Sequence, residues 1–156
     1  MIKDKIIENA KWTITKYDVD GNLYERNEID GNCLLNEGIN NLTELIGSAG
    51  GTGWDNSTAY LGTGDSGIAE TASDTGLKGT AVYQSMESGY PTYGTNQKIT
   101  WKASFASDEA NQDWREFTVG TDSTNASAIN LNRKTDNQGT KAVGQTWELE
   151  LEITFS

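Results

Sequence analysis

Residues 62–67 read Gly-Thr-Gly-Asp-Ser-Gly, which is the glycine spacing of loops that bind dinucleotides. That chemistry needs a helix to begin at the loop, so that the amides at the helix N-terminus meet the pyrophosphate. The residues that follow, 68–76, are rich in Thr, Ser and Gly and form helices poorly. The pattern therefore predicts a polar surface loop over residues 62–79 rather than a nucleotide site.

The same run contains Gly64-Asp65-Ser66-Gly67, which resembles the nucleophile loop of trypsin-like proteases. A serine nucleophile needs a neighbouring base, and the chain contains no histidine. No Ser-x-x-Lys pair supplies the lysine alternative. These residues argue against an enzyme, and we expect no catalytic residues.

Asp18, Asp20 and Asn22 place oxygen ligands two residues apart, as calcium loops do. An EF-hand loop needs Gly at its sixth position and Glu at its twelfth, whereas here Gly is fourth and the twelfth residue is Ile29. A tight hairpin turn at the Asp-Gly pair explains the same residues. Zinc is disfavoured because there is no histidine and only one cysteine, Cys33. We therefore expect no metal and no cofactor.

Glu109, Asp113 and Glu116 are close in sequence and could supply the acid pair of a glycosidase. That mechanism depends on the distance between two carboxyl groups in space, which sequence spacing does not fix. A solvated acidic loop is the simpler interpretation.

Aromatic residues in predicted loops suggest a second kind of site. Trp54, Tyr90 and Tyr93 could form a platform on which a sugar stacks. Loop aromatics more often hold a loop against its own core or against a neighbouring subunit. A carbohydrate-binding β-sandwich module is therefore kept as an alternative function.

The charge of the chain limits its partners. Asp and Glu number 23 against 12 Lys and Arg, which gives a net charge of −11. Nucleic acids and anionic membrane surfaces both attract clusters of basic residues, and the chain has none. No apolar run reaches the roughly 18 residues of a membrane span, and the first 11 residues lack the apolar core of a signal peptide. We expect neither a nucleic-acid partner nor a membrane.

Strand patterns dominate the chain. Residues 147–155 alternate large apolar side chains with Thr and Glu, and residues 99–105 alternate in the same way. Segments 11–19 and 22–29 flank the Asp-Gly turn and predict a hairpin. Further short strands are predicted at these positions: 59–62, 80–86, 114–119 and 129–133. Seven or eight short strands predict an antiparallel β-sandwich or a jelly-roll-like barrel.

One amphipathic helix is predicted over about residues 33–46. Its apolar stripe consists of Leu34, Leu35, Ile39, Leu42, Leu45 and Ile46. Asn32 is the expected N-cap and Gly47 the expected stop. Gly38 faces inward, where another backbone could approach closely. Five Trp and six Tyr supply apolar surface for the core that covers this helix.

The length of 156 residues suits one domain. Residues 1–11 are charged and mixed, so we interpret them as an N-terminal arm and residues 12–156 as a single β-rich domain. Apolar groups in poorly structured segments need cover, which makes Ile6, Ile7, Trp12 and Trp54 the predicted partner contacts.

Several short motifs stand out along the chain. They are Asn32-Cys33-Leu34-Leu35-Asn36-Glu37-Gly38-Ile39, Ala59–Gly64, Thr71–Leu77, Phe105 with Glu109-Ala110-Asn111, Trp114-Arg115-Glu116-Phe117, Leu131-Asn132-Arg133 and Ile153-Thr154-Phe155. Together these motifs resemble those of small structural proteins of tailed bacteriophages. In that family a Glu-x-Gly step usually occurs where this chain has Glu116-Phe117-Thr118.

The resemblance implies a virion structural protein, made in the cytoplasm of the bacterial host. Within that class we favour a capsid decoration, or cement, protein on the capsid surface, which binds the major capsid protein as a homo-trimer. The alternative within the class is a tail, baseplate or head-fibre appendage.

Overall fold

A computed structural model of the protein describes residues 6–156, and strands account for 41% of the chain. The elements in chain order are β1 (Glu8–Tyr17), β2 (Leu23–Asp30), β3 (Cys33–Leu34), α1 (Asn36–Ile46), β4 (Tyr60–Gly64), β5 (Val82–Ser85), β6 (Thr92–Thr95), β7 (Lys98–Phe105), β8 (Glu116–Gly120), β9 (Asn132–Thr135) and β10 (Thr146–Phe155). The predicted mainly β fold with one short helix is confirmed.

The strands form two antiparallel five-stranded sheets. Sheet A has the order β2-β1-β10-β7-β6, and sheet B has the order β3-β9-β8-β4-β5. The two sheets do not close into a barrel, so the structure is consistent with the sandwich among the predicted alternatives. No helix in residues 6–156 is long and apolar enough to cross a membrane.

The predicted hairpin and the two alternating strands build sheet A. β10 lies at its centre and pairs along its length with β1 on one side and with β7 on the other. The Asp18 carboxylate accepts hydrogen bonds from the amides of Asp20 and Asn22, and Gly21 has φ of +81° at the tip of the β1–β2 hairpin. The residues that resembled a calcium loop are therefore a hairpin turn.

Aromatic side chains from both sheets fill the space between them. The Trp114 ring lies 4.9 Å from Phe105, 5.1 Å from Trp147 and 6.2 Å from Phe117, measured between ring centroids. Trp12 on β1 lies 5.9 Å from Phe117 on β8, which joins sheet A to sheet B. The apolar residues of both sheets thus share one core.

The helix begins later than the sequence indicated. Cys33 and Leu34 pair with β9 as strand β3, and the chain remains extended at Leu35, which is the N-cap residue. Asn32, the predicted cap, instead donates to the Glu8 carboxylate at 2.6 Å. The predicted start at residue 33 is therefore wrong, because pairing with sheet B outweighs local helical periodicity. The predicted end at residue 46 is correct.

The buried face of α1 also differs from its predicted stripe. Gly38 and Asn41 are buried, Leu42 and Leu45 are partly buried, and Ile46 is 76% exposed. A Cβ on Gly38 would lie 2.5 Å from the Leu131 Cα, so the close backbone approach predicted at this glycine is confirmed. The helix packs through a small residue and leaves the end of its apolar stripe exposed.

Only part of residues 62–79 behaves as the predicted surface loop. Residues up to Gly64 belong to β4, and the segment 65–81 then connects β4 to β5. Asp74 and Leu77 within this segment are buried. The expected lack of regular structure is confirmed for residues 65–79, but the segment does not lie wholly at the surface, because charged groups described below anchor it to sheet B.

The predicted N-terminal arm, residues 1–11, overlaps the first strand. Its residues 1–5 lie outside the described residues, and its residues 8–11 belong to β1. Ile6 and Ile7 precede the strand and are both exposed.

Candidate functional site at the apolar end of the sandwich

The structure separates the four predicted contact residues into two pairs. Trp12 is fully buried because it lies on the inward face of β1. Trp54 is only 7% exposed, and its indole Nε1 donates to the Ile129 carbonyl at 3.2 Å. Two of the four are therefore core residues rather than surface contacts. Ile6 is 81% exposed and Ile7 48% exposed, and their contact with a partner stays a prediction.

Ile7 is held against the end of β10. Its amide donates to the Ser156 carbonyl at 2.7 Å, and the Ser156 amide donates back to the Ile7 carbonyl at 2.9 Å. Glu8 and Phe155 are direct partners in the register, so the Phe155 side chain lies on the same face of sheet A as that of Glu8. Ile7 precedes Glu8 by one residue, so its side chain lies on the opposite face of sheet A from that of Phe155.

An apolar cavity of about 150 Å³ lies at this end of the core. It is lined by Leu34, Leu42, Trp54, Ile99, Trp101, Leu131, Ile153 and Phe155. Its lining comes from both sheets, from α1 and from the segment before β4, and its rim residue Phe155 is 38% exposed. An apolar cavity of this volume accommodates about one benzene-sized group. Neither Ile6 nor Ile7 lines this cavity. We refer to the exposed pair Ile6 and Ile7, at the end of sheet A where β1 begins and β10 ends, as the apolar end.

A buried ionic cluster lies away from these residues, in sheet B. Arg133 donates to Glu116 from Nε at 2.8 Å and from Nη2 at 2.7 Å, and both side chains are fully buried. Its Nη1 donates to Asp74 at 3.0 Å. The amides of Lys78 and Gly79 also donate to Glu116, at 2.9 and 2.6 Å. The cluster therefore ties the segment 65–81 to β8 and β9.

The charge state of Asp74 follows from these contacts. Burial alone would raise the pKa of Asp74, but the hydrogen bonds from Thr71 and the ion pair with Lys78 outweigh it and lower the pKa to about 2. Because its acceptors and those of Glu116 are occupied by donors, the cluster suits a structural role. Its members lie 17 to 59 residues apart, so sequence spacing gave no signal for it.

The other candidates for acid chemistry bind unrelated partners. Glu109 accepts from the Ala106 amide at 2.7 Å and from Gln84. Asp113 forms an ion pair with Arg115 at 3.1 Å. Glu116 belongs to the buried cluster. The three carboxylates therefore bind separate partners and do not form the acid pair that a glycosidase needs.

A surface depression of about 400 Å³ contains two of the three predicted stacking aromatics. It is lined by Asp55, Asn56, Ser57, Gly89, Tyr90, Pro91 and Tyr93. Tyr93 is 72% exposed, whereas Trp54, the third predicted aromatic, is in the core. The polar residues 55–57 were not predicted from the sequence to belong to a site. The run Asp55-Asn56-Ser57-Thr58 is nevertheless typical of a turn that its first side chain stabilises.

No protein-family model, no curated protein and no solved structure matches this chain. The geometry of these surfaces, together with the sequence motifs, therefore carries the functional inference.

Proposed function

We propose that the protein is a virion structural component, a capsid decoration protein that binds the major capsid protein through its apolar end. The observation that carries this proposal is the pair Ile6 and Ile7, which are both exposed at the end of sheet A, where two backbone hydrogen bonds hold Ile7 against Ser156. Neighbouring large apolar side chains exposed on a charged protein are typical of an interaction site. The resemblance to tailed-phage structural proteins supplies the class of partner.

Burial of Ile6 and Ile7 in a contact would contribute measurably to the free energy of binding. Burying an Ile side chain completely contributes roughly 1.5–3 kcal/mol, and the exposed fractions of Ile6 and Ile7 amount to rather more than one full side chain. The pair then contributes about 3 kcal/mol, or roughly a hundredfold in affinity.

The mechanism is stabilisation by mass action. A protein that binds the assembled capsid lattice, but not free capsid subunits, lowers the free energy of the assembled state. A homo-trimer would present three apolar ends at once, and linked binding sites raise the apparent affinity without new contacts. The lattice would then resist heat and internal pressure better with the protein bound.

The test is the double substitution Ile6→Ser and Ile7→Ser in phage particles. Deleting all of residues 1–11 would remove the first four residues of β1, so the substitutions are the cleaner change. We expect the number of bound copies per head to fall sharply, as measured by quantitative gel analysis of purified particles. Val19→Ser is a matched control, because Val19 is 67% exposed on the β1–β2 hairpin and should leave occupancy unchanged.

Two outcomes would count against the proposal. Unchanged occupancy in the double variant would exclude the apolar end as the contact. Imaging of particles that locates the domain on the tail, in few copies, would favour the appendage alternative instead. The alternative from another class, a carbohydrate-binding module, draws on a different observation, the exposed Tyr93 in its depression.

A further inference from the structure

The depression beside Tyr93 has a rigid polar wall. The Asp55 Oδ1 atom accepts from the Ser57 amide at 2.8 Å, the Ser57 hydroxyl at 2.7 Å and the Thr58 amide at 3.1 Å. These hydrogen bonds lower the pKa of Asp55, so the carboxylate is ionised at neutral pH. The turn at 55–58 is thus fixed by its own first side chain.

The Asn56 side chain links this turn to the loop at residues 87–90, on the other side of the depression. Its Nδ2 donates to the Tyr90 carbonyl at 2.6 Å and to the Glu87 carbonyl at 3.3 Å. The turn and the loop before β6 therefore form one preorganised surface, which loses little freedom when a ligand binds.

Two acceptors on this surface are left for a ligand. Among residues 6–156, no hydrogen bond reaches the Asp55 Oδ2 atom or the Asn56 Oδ1 atom, whereas the Asn56 donors are already engaged. Tyr90 and Tyr93 line the same depression, and their hydroxyl groups form no hydrogen bond within residues 6–156 and can donate as well as accept, so a ligand rich in hydroxyl groups is favoured. Anionic ligands are disfavoured further by Asp55 and by the net charge of −11.

Tyr93 supplies an apolar plane beside these acceptors. It lies on β6, an edge strand of sheet A, opposite Ile99 of β7. An aromatic ring exposed by 72% gains free energy when a flat apolar face covers it. A cleft with an aromatic wall and a few convergent polar atoms is the usual form of a small-ligand site, and about 400 Å³ lies within the common size range of roughly 300–1,000 Å³.

We propose that this depression binds a neutral glycan. The C–H face of one sugar ring stacks on Tyr93, and its hydroxyl groups donate to the free oxygens of Asp55 and Asn56. Neutral sugars combine a flat apolar face with many hydroxyl donors, which matches the two features of the surface. The site does not depend on the proposed role in the virion, because the isolated protein carries every residue of it.

The experiment is an NMR titration of the isolated ¹⁵N-labelled protein with neutral sugars. The probes are glucose, galactose, mannose, N-acetylglucosamine and their β-linked disaccharides, with choline as a cationic probe and sialyllactose as an anionic one. We expect neutral sugars to shift the amide signals of residues 55–58 and 89–93. Tyr93→Ala should weaken binding by about tenfold, the scale of one aromatic contact.

Two control variants test whether the Tyr93 ring itself, and not a general change in the protein, accounts for a loss of binding. Tyr93→Phe keeps the stacking plane and should retain binding. Tyr24→Ala removes an exposed tyrosine from β2, the opposite edge of sheet A, and should also retain it. Neutral sugars that cause no shifts, or shifts elsewhere on the surface, would overturn the proposal. Binding of choline alone would overturn it in favour of a cation site.

Discussion

Glu116→Gln is the substitution that best tests how the structure is stabilised. Glu116 is fully buried and only accepts hydrogen bonds, from the Arg133 guanidinium and from the amides of Ser66, Lys78 and Gly79. A glutamine of the same shape would point its NH₂ group at one of these donors and leave the Arg133 charge without its closest partner. Removing one member of a buried ion pair costs roughly 3–5 kcal/mol of unfolding free energy.

The effect is large enough for ordinary denaturation. With a urea dependence of about 2 kcal/mol per molar, the midpoint should fall by roughly 2 M without a change in slope. In a chain of this size the melting temperature should fall by roughly 10 °C or more. The segment 65–81 should also become a site of proteolytic cleavage, because a neutral glutamine binds Arg133 and the amides of residues 78 and 79 less strongly than the carboxylate does.

Glu150→Gln is the matched control. Glu150 lies on the outer face of β10, where burial raises the pKa of its carboxyl group and where no ion pair to it is formed among residues 6–156. Neutralising it should change the unfolding free energy by less than about 1 kcal/mol. If Glu116→Gln cost no more than this control, the ionic cluster would not be the anchor of the segment.

Three further outcomes are expected. Because the pKa of Asp74 is lowered to about 2, the ionised carboxylate contributes about 2 kcal/mol to the unfolding free energy above pH 4. This contribution should be lost as the pH falls through about 2. The melting temperature of the Asp74→Asn variant should therefore depend less on pH across this window than that of the unsubstituted protein. Gly38→Ala should lower the unfolding free energy measured in urea by roughly 1–3 kcal/mol, because the Leu131 backbone occupies the space that a Cβ would need; this cost outweighs the better helix propensity of Ala. Gly67→Ala is the control and should leave the unfolding free energy unchanged, because no atom lies within 4 Å of its added Cβ. Burial, together with the charges of nearby carboxylates, raises the pKa of the Cys33 thiol, so its rate of alkylation by iodoacetamide should keep increasing above pH 9, and a plateau near pH 8 would contradict the structure.

Local patterns predicted the parts of the fold that depend on local geometry. The alternation in β7 and β10 and the Asp-Gly hairpin were recognised because side chains of a strand change face at every residue. The helix start was not recognised, since the pairing of Cys33 with Arg133 joins residues a hundred positions apart. Long-range pairing of this kind leaves no periodic signal in the sequence.

The sites were predicted less well than the strands for the same reason. Trp12 was assigned to a partner surface because it follows the charged arm, yet it lies on the inward face of β1. Asp74 fell within a predicted surface loop and Arg133 within a predicted strand, and their ion pair is visible only in three dimensions. Tyr93 was considered as a stacking residue, but the polar residues 55–57 beside it lie in a different loop.

The position of β10 has a consequence for synthesis of the chain. Residues 146–155 leave the ribosome after every other described strand, yet they occupy the middle of sheet A. Until then β1 and β7 have no neighbour on the side that β10 will fill, and such open edges can pair with another nascent chain. Sheet A can therefore close only after residue 155 is free, which makes a chaperone that shields β1 and β7 until then important for its yield.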